Sequence, residues 1–392
     1  MTKRRRWAAA AAGAVLVAAA AAGCNGSATS GGPGSAVRAT VPGMRTQIGR
    51  PERALRLLAV QGTAPASIIR PFQAQTGCRV TVIPTPGARR AASLLGAGSA
   101  DGVAAAGDVE TRLIAARAVA PLDTALIPSY HDFTPTLQNL PQDSAGGLRY
   151  GVPEAWAPQL LAYGALVKPP PRTWAGFYDG RTYPGPVAVH DSPMSIAEAA
   201  LYLKSARPSL GISDPYELTA PQFAAATALL ARQSPEVGLY WRDPASEARS
   251  FQNGTVVAGD IWPAQVRSLQ RKEQGVRAVI PAEGATAWAV SWMMSAHPDH
   301  PDCMLRWLAY AATPIVQGHV AYPLAAAPAN PRACGYLDQR KPGYCTAHHV
   351  SDGGYLSRLA FWKSPKRECG NGKRDCVPAA QWAAAWRDLT RG

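Results

Sequence analysis

Short β-branched runs alternate with helical stripes along most of the chain, and this alternation constrains the fold more than any other feature. Leu55–Val60 reads as a strand, and Ala66–Thr76 as the helix that follows it. Cys78–Ile83 is a second strand closed by Pro84, and Asp101–Ala105 a third leading into a helix near Val109–Arg117. Val187–His190 precedes a helix over Ser195–Lys204, where Ile196, Ala199, Ala200 and Leu203 keep one face apolar. Thr219-Ala-Pro-Gln222 has the form of a capping box: Thr219 can accept from an early helical amide while Gln222 reaches back. Asp299-His-Pro-Asp302 opens a later helix with Met304, Trp307, Leu308 and Ala311 on its stripe and Pro314 ending it. This pattern predicts an α/β architecture with mainly parallel sheets. At 392 residues the chain exceeds one usual core, so two lobes are expected.

The N-terminus reads as an export signal over residues 1–23. A basic start, Lys3-Arg-Arg-Arg6, precedes the apolar stretch Trp7–Ala22, and small residues lead to Cys24. The cysteine directly after them resembles the lipobox of bacterial lipoproteins, in which it is lipidated and becomes the mature N-terminus. Acyl chains on Cys24 would hold the protein on the outer face of the cytoplasmic membrane. The Arg pair admits twin-arginine export, but the rest of that pattern is missing and Sec export is expected. Residues 24–53 are rich in Gly, Ser, Ala and Pro and read as the lipidated cysteine plus a flexible linker. Removing the signal lowers the formal charge from +14 to +10.

Six cysteines remain, an even number that suits bridges in an exported protein. Cys369–Cys376 and Cys334–Cys345 each enclose a short turn-forming loop and are expected as local disulfides. No C-x-x-C spacing occurs, so no metal is expected. His297-Pro-Asp-His300 beside Asp302 and Cys303 reads as a solvated helix start, and His348-His349 with Asp352 as surface. There is no G-x-S-x-G elbow, H-E-x-x-H, Walker loop or G-x-G-x-x-G after a strand, and no cofactor is expected. Scattered Lys and Arg without interleaved aromatics give no support to nucleic-acid binding. The basic charge suits life beside anionic lipids and wall polymers.

Tryptophan is the remaining signal. Trp156, Trp241, Trp262 and Trp288 sit near strand ends or loops, where they either pack in cores or wall a stacking cleft.

The segments around them resemble extracellular solute-binding proteins. Tyr150-Gly-Val-Pro-Glu-Ala-Trp156 resembles the first crossing between lobes, followed by Thr173–Tyr178 and Val187–Pro193. Asn253–Trp262 and Ile280–Trp288 resemble segments carrying ligand-stacking tryptophans, and Ala327-Pro-Ala-Asn330 the last crossing. Together they resemble the spermidine/putrescine-binding proteins of ABC importers. Thr76-Gly-Cys78, His300-Pro-Asp-Cys303, Ala327–Cys334 and Phe361-Trp362 point to an actinobacterial branch.

The resemblance covers about residues 54–390. It implies a two-lobe periplasmic-binding-protein-like (type II) α/β fold with an inter-lobe ligand cleft. Lobe 1 would be residues 54–155 and 288–326, and lobe 2 residues 159–284 and 327–392. It implies a monomeric solute-binding lipoprotein, not an enzyme, which captures a polyamine-like solute and delivers it to an ABC permease. Implied ligand contacts are Thr63, Asp108, Trp156, Asp191, Ser192, Ser195, Trp262 and Trp288, with Trp156, Trp262 and Trp288 facing one cleft near Asp108 and Asp191. Cys78 begins a first-lobe strand and Cys303 starts the helix returning to that lobe, which makes them the third disulfide.

The sequence departs from the polyamine pattern. Val290 stands where an aspartate pairs with an ammonium group, and Val60-Gln61-Gly62-Thr63 replaces an aromatic loop. Glu154 or Asp108 is the carboxylate placed to substitute. Two other readings stay open: the same scaffold tuned to an amino-acid derivative or sugar, and a secreted enzyme or wall-interaction protein.

Overall fold

The computed structural model describes residues 41–85, 88–179, 181–272 and 275–391. The export signal and Cys24 lie outside the described residues. Among those residues, no helix is long and apolar enough to cross a membrane.

The chain builds two main sheets from strands β1 (Ala54–Ala59), β2 (Arg79–Pro84), β3 (Gly102–Ala106), a small hairpin β4–β5 (Ser144–Ala145, Leu148–Arg149), β6 (Gly151–Pro158), β7 (Leu160–Tyr163), β8 (Val187–His190), β9 (Val237–Trp241), β10 (Ala258–Ile261), β11 (Arg277–Val279), β12 (Ala285–Met294), β13 (Ala327–Pro328) and β14 (Leu359–Phe361). The first sheet runs β13-β6-β12-β3-β1-β2, and β14 pairs with β12. The second runs β11-β7-β10-β8-β9. In each, a parallel trio (β1, β2, β3; β8, β9, β10) is extended by antiparallel strands. The two-lobe α/β expectation holds, but the sheets are mixed rather than mainly parallel, because β6, β7, β11, β12 and β13 make antiparallel pairings. The chain passes from one sheet to the other at Pro158–Leu160 and returns between β11 and β12. The Gln159 amide donates to Thr286 O at 2.8 Å, tying the two crossings together.

The helices form where the apolar spacing predicts them. Ala66–Thr76 ends at Gly77, in the left-handed conformation that a C-cap needs. Ser195–Ala206 is buried from Ser195 to Leu201 and at Leu203, with an exposed last turn, and Thr219 and Gln222 form the expected capping box. The Pro301–Ala311 helix inserts Trp307 between Phe72 and Trp292, both edge-on at 5.0 and 5.3 Å. Tight edge-to-face contacts of this kind hold the first core. A separate core under the second sheet centres on Trp174, Phe177, Tyr216 and Trp382.

Two expectations about chain organisation change. Residues 41–53 are docked rather than a loose linker. Both Glu52 carboxylate oxygens accept amides of Asp302 and Cys303 at 2.9 Å, and Arg306 donates to Gly49 O. An acidic group at a helix start satisfies orphan amides and favours the dipole, which is why this segment stays put. The tail also divides. β13 pairs with β6, and Ala329, Val350, Leu356 and Phe361 join the first core, so residues 327–361 belong with lobe 1. The later part, with Trp382 and Trp386, packs on the second sheet, and Ala360 and Trp362 reach that core as well.

All three expected disulfides form: Cys78–Cys303, Cys334–Cys345 and Cys369–Cys376, with Cα separations of 5.9, 5.8 and 5.6 Å. Among the described residues, the one His/Cys/Asp/Glu group tight enough for a metal is Cys369, Asp375 and Cys376. Its two sulfurs are joined in a bridge and are not available as thiolates. The His300 region is structural too: His300 Nδ1 lies 3.0 Å from Asp101, and Cys303 is bridged.

Candidate functional site

Because β8, β9 and β10 are parallel, their carboxyl ends bring His190, Trp241 and Trp262 to one edge of the second sheet. Open parallel sheets bind ligands at that edge. The His190 ring lies 4.5 Å from Trp241 and 5.5 Å from Trp262, and Trp241 meets Trp262 edge-on at 5.1 Å. A fourth ring comes from the other side. Trp362 follows β14, donates its amide to Ala287 O at 2.8 Å, and stacks on His190 at 5.6 Å.

Strand register sorts the tryptophans. Trp288 pairs with Ala157, and Ala289 with Trp156. Neighbouring strand residues point to opposite faces, so Trp288 and Trp156 project from opposite sides of the first sheet. Phe361 pairs with Ala287 and packs edge-on against Trp156 at 6.2 Å, while Trp362 falls on the Trp288 face. The expected trio of Trp156, Trp262 and Trp288 around one cleft is therefore corrected. Trp156 is 1% exposed and belongs to the first core. Trp262 and Trp288 are both half-buried.

A buried acidic layer supports the aromatic cluster. Asp260 Oδ1 accepts from the Trp241 indole at 2.9 Å and from the His190 amide at 2.8 Å. Glu198 accepts from the Thr286 hydroxyl at 2.8 Å. Burial pushes Asp260 up to about 6, against the pull of its hydrogen bonds. Burial raises Glu198 well above the carboxylate range, and the Asp260 charge raises it further, so this layer holds a proton. Burial lowers His190 to about 4, with Asp191 pulling the other way, so the imidazole is neutral near pH 7.

The expected polar contacts are engaged within the protein. Asp191 sits 2.7 Å from Arg242 Nε and accepts from the Trp386 indole at 2.8 Å. Ser195 donates to His190 O, and Ser192 accepts from the Met194 amide, so both shape the turn after β8. Thr63 is buried and donates to Val60 O at 2.8 Å. Asp108 begins the helix Asp108–Ala115 and pairs with Arg112 one turn on. Val290 is 3% exposed. Glu154 is fully buried, and burial pushes it up to about 8, so it is no ready anion for an ammonium group. The indole nitrogens of Trp262, Trp288 and Trp362 and Nδ1 of His190 are buried without partners, as are the indole nitrogens of Trp156 and Trp307 in the first core.

Sequence reasoning missed His190, Asp260 and Trp362 as site-forming residues. The first two follow from being last or next to last in short strands. Trp362 was noted only in the Phe361-Trp362 pair that marks the resemblance, because its place in the site depends on β14 joining β12.

The family model for bacterial extracellular solute-binding proteins matches residues 67–334. The chain belongs to that family. Its members bind solutes and are not enzymes. Among solved structures, the chain is similar to the spermidine/putrescine ABC transporter substrate-binding protein PotD from Streptococcus pneumoniae (15% identity, 86% of this chain and 97% of that one, TM-score 0.69). It is similar to a spermidine/putrescine ABC transporter protein from Listeria monocytogenes (15% identity, 86% and 99%, TM-score 0.67). It is also similar to the binding protein MotA from A. tumefaciens B6 in complex with glucopine (18% identity, 86% and 99%, TM-score 0.65). At these identities the likeness speaks for the fold.

Proposed function

We propose that this protein is the lipid-anchored, exported solute-binding component of an ABC importer. It captures one small solute between its lobes and presents the closed form to a permease. Family membership supports solute capture, and the residues leading to Cys24 support the anchor.

The observation that carries the choice of solute is the set of unpartnered indole donors at Trp262, Trp288 and Trp362. A polyamine brings N–H donors and no acceptors, so it cannot satisfy them. It also needs carboxylates, and Asp191 is already held by Arg242 and Trp386. A planar or ring-shaped solute with acceptor oxygens, such as an amino-acid derivative or a sugar, would stack on the rings and accept from them. The polyamine reading rests on the resemblance to spermidine/putrescine binders; the donor set favours the alternative.

Mass spectrometry of small molecules co-purified with the protein, followed by calorimetry, tests this. An oxygen-bearing solute whose affinity drops on Trp262→Ala is the expected result. Tight, salt-sensitive spermidine binding that ignores Trp262→Ala overturns it.

A further inference from the structure

On the far face of the crossing strands, away from Trp288, lies a cavity of about 440 Å³. That size suits a small molecule. Trp156 and Tyr355 line it from the first lobe, and Pro263 and Ile280 from the second. His348, His349 and Arg358 complete the wall. The surface reading holds for His349, whose side chain is 41% exposed while it stacks flat on Tyr355 at 3.8 Å; His348 stacks on Tyr344 at 4.2 Å.

The chemistry of this lining has one sign. Among the described residues, Arg358 is its charged member and no carboxylate lines it; the nearby Asp352 is turned to His349 and the Tyr355 amide. Burial, with Lys341 and Arg267 adding to it, lowers the His348 pKa to about 4, so that imidazole is neutral near pH 7. Trp156, almost wholly buried, has an indole N–H without a partner. An indole nitrogen only donates, so what completes it must be an acceptor. Flat aromatic surfaces, a guanidinium fork and an unsatisfied donor converge on one chemistry.

We infer that the hinge-side cavity is a second binding site, for a small planar carboxylate held by Arg358 and the Trp156 indole between the two lobes. Its walls come from both lobes, so occupancy favours the conformation that brings them together. The inference does not depend on the identity of the solute at the Trp262 side.

Calorimetry with benzoate, and with neutral benzamide as control, tests it. Saturable benzoate binding without benzamide binding is expected. Arg358→Gln, at an exposed position, should weaken benzoate at least ten-fold, and Trp156→Phe, which keeps the ring but loses the donor, several-fold. Arg232→Gln, an exposed arginine outside the cavity, should leave benzoate binding intact. Absence of saturable binding, equal binding of benzamide, wild-type binding in both Arg358→Gln and Trp156→Phe, or loss of binding in Arg232→Gln overturns the site.

Discussion

The Trp362 indole lies over the His190 imidazole with 5.6 Å between centroids and 13° between planes, although the residues reach each other from different sheets. His190 ends β8 of the second sheet, and Trp362 is fixed by β14 to the first. A neutral imidazole loses little by being stacked and dry. This contact therefore joins the lobes at the place proposed above for solute stacking.

Trp362→Ala removes that contact. The variant should lose about 2 kcal/mol of stability, below the ~3–5 kcal/mol of a fully buried tryptophan because this one is half-buried. It should also give a larger radius of gyration in small-angle scattering as the lobes part. A variant with the wild-type radius and denaturation midpoint would remove Trp362 as a link between lobes.

The pH dependence of stability follows from buried groups of opposite behaviour. Burial raises Asp260 to about 6, Asp143 to about 7 and Glu154 to about 8. For these acids the folded state holds protons more tightly than the unfolded one. Their contribution is complete below about pH 4 and is lost as pH climbs through 6–8. His190, lowered to about 4, works the other way: its contribution is present above about pH 6.5 and lost as pH falls toward 4. Calorimetric Tm should therefore be higher at pH 6 than at pH 8.5, and Glu154→Gln should flatten the alkaline fall. A Tm that rises from pH 6 to 8.5 contradicts this assignment.

How much of this was legible in the sequence depends on the range of the interaction. Ala66–Thr76 and Val187–His190 were readable to the residue, because hydrophobic period and local stops define them. The capping box at Thr219 was equally local. The lobe assignment of residues 327–361 was not, because it rests on a two-residue strand, β13, finding β6 across more than 160 positions. Trp156 and Trp262 looked alike as tryptophans near strand ends. Only the pairing of Ala289 with Trp156 shows that Trp156 faces away from Trp288.

Gly107 marks where the first lobe touches the aromatic cluster. Its φ is +57°, and an added Cβ would lie 2.8 Å from Cβ of Trp362. Gly107→Ala thus combines a left-handed backbone with a clash. We expect a loss of about 1–3 kcal/mol in urea unfolding and altered tryptophan fluorescence. In Trp362→Gly/Gly107→Ala the clashing Cβ at position 362 is gone, so the second substitution should cost less than it does alone. Strict additivity would argue against the contact.

Val290 offers the sharpest test of the polyamine question. It is buried on β12 between Ala106 and Ala155, on the same strand face as Trp288. Val290→Asp places a carboxyl there without a partner, which should cost about 2–4 kcal/mol. If this position faces the solute space, spermidine supplies the missing partner and raises the variant's Tm in a concentration-dependent way, while leaving the wild type unmoved. A destabilised variant that spermidine does not rescue would place Val290 in the core rather than at the site. A wild type stabilised by spermidine as strongly as the variant would show that polyamine binding does not need an acid here, and would restore the polyamine reading.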